Sequence, residues 1–386
     1  MPRLKMPGVD DLTPEQDRIL RLPDEGRYFI GGPPGTGKTI IALLRAHAMT
    51  ARDNRPIILM HNKLLQTYCV QWLASRRMRL PVDTWNHWLP LHYHQQYGEW
   101  PPKLPAQGRS HWQPYDWAQI EETVAAKPLH PSAAPLLIDE GQDLPRSFYQ
   151  YVSLHFANIL VFADENQMLD EQQNSTKEDI WNQLGIPVDN RYVLKTNHRN
   201  TLEIAAVAQH FYAGTDAGQP DLPSRKGQVP PYLVDYGNLE YMASRVARLA
   251  GNRPHDLIAV MTACNESQDV MKACLEPVCR RTEIPFTWYR SGNGARVEFD
   301  RAGIVLLNVQ SVKGLEFDSV LIADLHEHYV YRDSETHKMR LYVATSRARD
   351  RLYILHNRER ECPLLTLMPG EDVLRRHTLN DKGITP

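Results

Sequence analysis

The sequence predicts an α/β fold in which parallel strands alternate with helices, and three segments carry this prediction. In "YFIGGPPGTGKTIIALL" (residues 28–44) a short apolar strand leads into a glycine-rich loop and then into a segment with the apolar spacing of a packed helix. In "PLLIDEGQDLP" (135–145) the apolar end of a buried strand is followed directly by two carboxylates. Residues 224–264 have the pattern of a strand, a helix and a second strand. Strands that alternate with helices are typical of parallel sheets covered by helices.

The composition is that of a globular protein, and its 386 residues are enough for two domains with their own cores. The formal net charge of −2 lacks the strong positive charge of many nucleic-acid-binding proteins, although a local basic groove is compatible with it. The five cysteines show no paired metal-type spacing, which indicates reduced thiols. No stretch reaches the roughly 18 apolar residues that a membrane helix needs. We therefore expect a cytoplasmic protein without membrane contact.

The glycine-rich loop has the spacing of a P-loop, in which backbone N–H groups and a helix N-terminus surround phosphates. Its candidate nucleotide ligands are Gly32, Gly35, Thr36, Gly37, Lys38 and Thr39. Lys38 would reach the β- and γ-phosphates, and Thr39 would offer its hydroxyl to Mg²⁺. The alternative is a glycine-rich turn before a helix, but the strand and helix on either side favour the P-loop.

The acidic pair after the strand at 136–138 supplies the second element that a P-loop needs. Carboxylates at the carboxyl ends of parallel strands face the ligand crevice of an open sheet. Asp139 is then placed to hold Mg²⁺ through water, and Glu140 to orient or deprotonate the attacking water. Alternatively, the pair is only the polar end of a strand. Beside a P-loop, the pattern favours nucleotide hydrolysis.

With "DEGQD" the chain resembles the UvrD/Rep-like branch of superfamily 1 DNA helicases, whose second motif is Asp-Glu-x-Gln-Asp. The resemblance extends from Thr13 to Leu355, and the motifs occur in the family's order. The other matching segments are "LTPEQDRIL" (12–20), "PIILMHNKLLQTY" (56–68), "DTWNHW" (83–88), "VFADENQML" (161–169), "LKTNHRN" (194–200), "KGLEFDSVLIADL" (313–325) and "RLYVATSRARDRLYIL" (340–355).

The resemblance implies two RecA-like domains, with parallel sheets flanked by helices and an ATP cleft between the domains. We expect residues 1–190 to form the first domain, with a short insertion at about 89–134, and residues 191–386 to form the second. Long-form members carry bulky insertions in both domains, whereas here the second insertion is essentially missing. The chain is therefore similar to a minimal two-domain motor that uses ATP and Mg²⁺.

The resemblance also assigns roles to individual residues. It makes Gln16 the adenine-reading residue, His198 the residue that stacks on adenine, and Glu316 the ribose contact. It further makes Gln167 the γ-phosphate sensor and gives Arg199 and Arg347 the role of arginine fingers, so that the implied catalytic set is Lys38, Glu140, Gln167, Arg199 and Arg347. Two assignments have local alternatives: Gln16 also fits a helix capping box with Thr13, and Arg199 could pair with Glu203 at i+4.

Contacts with nucleic acid are implied at Asn62, Thr84 and Trp85. Family members also stack bases on aromatic residues, but this chain has Met60 in one such position and "MLDEQQN" (168–174) in the other. Five of the eight tryptophans (Trp85, Trp88, Trp100, Trp112 and Trp117) lie in or near the insertion, and they could form a stacking platform or instead attach a proline-rich excursion to the domain. These differences from the family do not affect the residues of the ATP site. They concern the residues that would hold a nucleic-acid strand.

Two functions from different classes follow. The first is an ATP-dependent translocase or helicase on single-stranded or tailed DNA, with 3′ to 5′ direction implied by the family. The second is a nucleic-acid-sensing ATPase subunit that regulates a nuclease without unwinding by itself, as small UvrD-like proteins accompany nucleases in some bacterial antiphage defence systems. A P-loop kinase would leave Arg199 and the segment at 313–325 unexplained.

Overall fold

The computed structural model describes residues 12–105, 113–164, 174–213, 221–294, 297–329 and 334–379. Within these ranges the chain forms two compact units. The first contains residues 12–32 and 38–194, and the second contains 33–37 and 195–379. Each unit has its own sheet flanked by helices, so the predicted α/β class is confirmed.

The sheet of the first unit has six strands, and all of its pairings are parallel. The strands are β1 (Arg27–Gly31), β2 (Ile57–Met60), β3 (Val82–Thr84), β4 (Leu136–Ile138), β5 (Ile159–Ala163) and β6 (Arg191–Val193). Their order in the sheet is β3-β2-β4-β5-β1-β6. Gly31 lies beside Ala163, and Ile138 lies beside Val161. The carboxyl ends of β1, β5 and β4 therefore meet at one edge of the sheet.

Seven helices of the first unit lie within the described ranges. They are α1 (Pro14–Leu20), α2 (Lys38–Ala51), α3 (Lys63–Ser75), α4 (Trp85–Tyr97), α5 (Trp117–Ala126), α6 (Arg146–His155) and α7 (Lys177–Leu184). Helix α1 begins with the predicted capping box: Gln16 N donates to Thr13 Oγ1, and Thr13 N donates to Gln16 Oε1 at 3.0 Å. Proline at the first helical position suits this start because its fixed φ is already helical.

The insertion of the first unit is held to the domain by aromatic packing. Trp85 is buried and meets Phe148 and Tyr115 edge to face, at centroid distances of 5.6 and 6.2 Å. Trp88 and Trp117 are partly buried against the same core. The burial of Trp85 corresponds to the attachment alternative, because a ring inside a core offers no free face to a base.

Trp100 differs from these three rings. Its side chain is 60% exposed, and its ring stacks on His94 with the centroids 4.5 Å apart. Trp112, the remaining tryptophan of the insertion, lies outside the described residues.

The partly buried His92 and the buried His155 link α4 to α6 in the same core. His92 Nδ1 lies 2.8 Å from the Tyr151 hydroxyl, and His155 Nε2 lies 2.6 Å from the Tyr97 hydroxyl. The His92 ring also stacks on Trp88. Burial, reinforced by the neighbouring His155, lowers the pKa of His92 to about 4 from an ordinary value of 6.5. The folded protein therefore keeps His92 neutral at a pH where the unfolded chain protonates it.

The first unit should accordingly lose stability as the pH falls from 6.5 towards 4. Over that interval the unfolded state binds a proton that the folded state rejects, which costs about 3 kcal/mol at most. We expect His92→Gln to flatten this part of the curve of unfolding free energy against pH, measured by urea denaturation. His87→Gln, on the exposed face of the same helix, is the control and should keep the wild-type slope. An unchanged slope in His92→Gln would contradict the prediction.

The second unit contains an eight-stranded sheet in the described part of the chain. Its strands are β7 (Tyr232–Tyr236), β8 (Leu257–Thr262), β9 (Phe286–Arg290), β10 (Asn293–Gly294), β11 (Gly303–Asn308), β12 (Phe317–Ile322), β13 (Ala348–Asn357) and β14 (Arg375–Thr378). Their order is β10-β9-β11-β8-β12-β13-β7-β14. All pairings are parallel except the short β9–β10 hairpin.

Helices complete the second unit. They are α8 (Leu202–His210), α9 (Leu239–Gly251), α10 (Asn265–Arg281) and α11 (Ser334–Thr345). Met242 and Val246 of α9 pack with Met271 and Leu275 of α10 over the apolar strands β8 and β11. Among the helices of either unit that the structure describes, none combines the length and the apolar character needed to cross a bilayer.

Candidate functional site

The loop between β1 and α2 is glycine-rich and leads directly into a helix. Gly37 has a φ of 87°, which residues with a side chain rarely adopt, and α2 begins at the next residue. The first turn of α2 contains no acidic side chain. Its positive end and its N–H groups without intrahelical partners are therefore not neutralised by a local carboxylate, which favours an anionic ligand.

Lys38 is buried at the start of this helix, with 7% of its side chain exposed. Its ammonium group donates a hydrogen bond to the Gly32 carbonyl oxygen and lies 3.8 Å from Asp164 Oδ2. Asp164 directly follows β5, which lies between β1 and β4 in the sheet. Sequence reasoning did not select Asp164, although its position after a buried apolar strand was a usable signal.

Thr39 and Asp139 are 100 positions apart in the sequence but in contact in the fold. The Thr39 hydroxyl donates to Asp139 Oδ2 at 2.7 Å. Asp139 is 1% exposed, and its Oδ1 has no hydrogen-bond partner among the described residues. Burial, together with the charge of Glu140, raises the pKa of Asp139 above its ordinary value. A divalent cation would supply the missing partner and favour the ionised carboxylate, so these residues fit Mg²⁺.

Glu140 follows in an unusual conformation. Its φ of 54° is left-handed, its side chain is buried, and a short 3₁₀ turn at Gly141–Asp143 comes next. A Cβ on residue 141 would lie 2.5 Å from Val161 Cγ1 and 2.7 Å from the Tyr149 hydroxyl. Only glycine therefore fits beside Glu140 without displacing the turn from β5. The Glu140 carboxylate accepts a hydrogen bond from Gln142 Nε2 at 2.7 Å.

In the second unit, Glu316 joins two arginines from different segments. Arg199 Nε donates to Glu316 Oε2, and Arg349 Nη1 donates to Glu316 Oε1, both at 3.0 Å. Burial opposes ionisation of Glu316, but the two guanidinium groups hold its pKa below the usual range. The local pairing of Arg199 with Glu203 gives way to this arrangement, and Glu203 instead accepts the Gly227 N–H at 2.7 Å. Arg349 was not singled out from the sequence.

The other residues predicted to bind the nucleotide differ in how exposed they are to solvent. Arg347 is buried, and its Nε donates to the Val343 carbonyl oxygen at 3.0 Å. His198 is exposed, and its backbone N–H donates to the carbonyl oxygen of Gly35, which belongs to the same unit. Gln167 lies outside the described residues.

The residues predicted to bind nucleic acid cap a helix or lie buried in the first unit. Asn62 caps α3 by accepting the Leu65 N–H at 2.8 Å. Thr84 is buried where β3 meets α4, and Met60 is fully buried. Trp85 differs most from the expectation, because its indole ring belongs to the core and cannot serve as an exposed platform.

Comparison with known proteins identifies a helicase-related segment in the second unit. Residues 303–355 match the model of the UvrD-like helicase C-terminal domain. The chain is also similar to a crystal structure of the C-terminal domain of a possible DNA helicase from Lactobacillus plantarum WCFS1. The identity is 18% and the TM-score 0.34, over 47% of this chain and 97% of that one. No curated protein matches the chain. The segment at 303–355 contains Glu316 and Arg347, and its match indicates a helicase-related, nucleic-acid-associated function.

Proposed function

We propose that this protein is an ATP hydrolase of the helicase type that moves along single-stranded DNA. One observation carries the hydrolase part: the Thr39 hydroxyl and the Asp139 carboxylate meet at 2.7 Å, next to the buried Glu140. Lys38 lies at the same sheet edge with Asp164. The helicase part is supported by the domain match at 303–355.

Each residue of the first unit has a chemical role in this proposal. Lys38 contacts the β- and γ-phosphates, and Thr39 and Asp139 hold Mg²⁺. Bound there, Mg²⁺ would neutralise part of the phosphate charge. Glu140 orients the attacking water and accepts its proton. Gln16 selects adenine, which makes ATP the nucleotide.

The second unit contributes charge stabilisation in this proposal. As the resemblance implies, Arg199 and Arg347 act as arginine fingers on the transferred phosphoryl group, Gln167 senses the γ-phosphate, His198 stacks on adenine and Glu316 contacts the ribose. Arginine fingers are effective because charge spreads over the phosphoryl oxygens during transfer. Binding of ATP and loss of its γ-phosphate would close and open the two RecA-like domains and move the strand in the 3′ to 5′ direction.

Steady-state ATP hydrolysis with and without single-stranded DNA tests the proposal. We expect strong stimulation by the DNA, and we expect Glu140→Gln to lower both the basal and the stimulated rate by at least about 100-fold. A wild-type rate that saturating DNA does not change would reject the translocase on single-stranded DNA. Full activity in Glu140→Gln would reject the hydrolysis site itself.

A second candidate is a nucleic-acid-sensing ATPase subunit that regulates a nuclease. The burial of Met60, Thr84 and Trp85 favours it, because these positions then offer no exposed base-stacking surface. Stacking on an aromatic residue contributes about 1–3 kcal/mol per base, so its loss weakens the grip that unwinding needs. Unwinding of a tailed duplex by the isolated protein would reject this candidate. Hydrolysis without unwinding, together with co-purification of a nuclease, would favour it.

A further inference from the structure

A fully buried glutamine, Gln142, connects Glu140 to the neighbouring strand β5. Its side chain is 0% exposed. Gln142 Nε2 donates to Glu140 Oε2 at 2.7 Å, and Gln142 Oε1 accepts the backbone N–H of Asp164 at 2.8 Å. The backbone of Gln142 adds a third bond, because its carbonyl oxygen accepts the Ser175 N–H at 3.0 Å.

The chemistry of the two side-chain partners fixes the orientation of the amide. The Asp164 N–H is a donor and needs the amide oxygen, whereas the Glu140 carboxylate is an acceptor and needs the amide N–H. Rotating the amide by half a turn would place two acceptors together and two donors together. Gln142 therefore holds one carboxylate oxygen of Glu140 at a set distance from the end of β5.

The structure assigns Gln142 the part of a positioning residue that orients the Glu140 carboxylate towards the attacking water. Glu140 lies in a left-handed conformation directly before the short turn that contains Gln142. The same side chain holds the backbone of Asp164, whose carboxylate faces Lys38 at 3.8 Å. Gln142 thus anchors the carboxylate of the proposed proton acceptor to the backbone at the end of β5.

This inference rests on the proposed ATP hydrolysis and is tested by the separation of kcat from KM. Gln142→Met keeps the volume of the side chain and removes both hydrogen bonds. Because the two side-chain hydrogen bonds of Gln142 go to Glu140 and to the Asp164 backbone, we expect kcat to fall by about 10- to 100-fold, part of what a general base contributes. The KM for ATP and the Kd of a fluorescent ATP analogue should stay within about threefold of wild type.

A double-mutant cycle tests whether Gln142 affects kcat through Glu140. If Gln142 acts through Glu140, adding Gln142→Met to Glu140→Gln should lower kcat no further, because residues that act as a unit are not additive. Tyr149→Phe is the matched control. It removes another buried hydrogen bond of the same turn, from the Tyr149 hydroxyl to the Gly141 carbonyl oxygen at 2.6 Å, without touching Glu140. Its kcat should stay near the wild-type value.

Gln142→Leu serves as a second variant if Gln142→Met does not fold. It likewise removes both hydrogen bonds and adds no charge beside Glu140, so kcat should again fall while ATP binding persists. Normal kcat in either folded variant, or a full additional loss in the Glu140→Gln background, would overturn the inference and leave the proposed function standing. Normal turnover in Glu140→Gln itself would overturn both.

Discussion

Replacing Glu140 by glutamine is expected to lower kcat for ATP hydrolysis by about 100- to 10,000-fold, the usual contribution of a positioned general base. The amide keeps the shape of the side chain but cannot accept a proton from water. The KM and the Kd for ATP should change little, because the phosphate contacts are assigned to Lys38 and the helix that it begins.

The expected loss of kcat in Glu140→Gln should not result from a loss of protein stability. The charge of Glu140 is one cause of the raised pKa of Asp139, so its removal relieves a repulsion between two buried carboxylates. Thermal unfolding of Glu140→Gln should therefore occur at or above the wild-type temperature. Glu121→Gln, which changes an exposed carboxylate on α5, is the matched control and should hydrolyse ATP normally. A kcat for Glu140→Gln within tenfold of wild type would show that another group accepts the proton.

Replacing Glu316 by glutamine is expected to lower the free energy of unfolding of the second unit by about 3 kcal/mol at neutral pH. The side chains of Glu316, Arg199 and Arg349 are 13, 12 and 21% exposed, so the two guanidinium groups would lose their common partner where little water replaces it. Urea denaturation of the full chain, followed through the transition of the second unit, measures the change.

The pH dependence of this difference has a definite sign. The pKa of Glu316 in the folded state lies below its ordinary value of 4.5. Its stabilising contribution is therefore complete above pH 4.5 and disappears as the pH falls through the lowered folded pKa. The difference between wild type and Glu316→Gln should shrink over the same range. Glu298→Gln is the control, because Glu298 and its partner Arg301 are 59 and 67% exposed, and it should cost less than about 0.5 kcal/mol. Equal losses in the two variants would contradict the prediction.

Features that depend on a few consecutive residues were predictable. The capping box of α1 requires only Thr13 and Gln16 at the proper spacing, and the structure confirms it. The strand, glycine-rich loop and helix around Lys38 and the strand before the acidic pair at 139–140 were recognisable because these segments follow one another in the chain. The adenine-reading role of Gln16 and the finger roles of Arg199 and Arg347 stay predictions.

Trp85 shows why a motif does not determine exposure. Its sequence neighbours place it where the family contacts nucleic acid, but its ring packs against Phe148, which belongs to α6 and lies far along the chain. A large aromatic ring stabilises the folded protein more when it is buried than when it is exposed to solvent. The Trp85 ring can be buried only because α4 packs against α6.

The sequence by itself determined the α/β class, the strand-loop-helix unit around Lys38 and the carboxylates that follow β4. Only the tertiary structure decided that Lys38 faces Asp164, that Gln142 bridges Glu140 and β5, and that Glu316 joins Arg199 with Arg349. The physical reason is the order of the strands. In the first unit β5 lies between β1 and β4, an order that differs from the order in the chain and that no local spacing encodes. Side chains at strand ends acquire their partners only when the sheet brings those ends together.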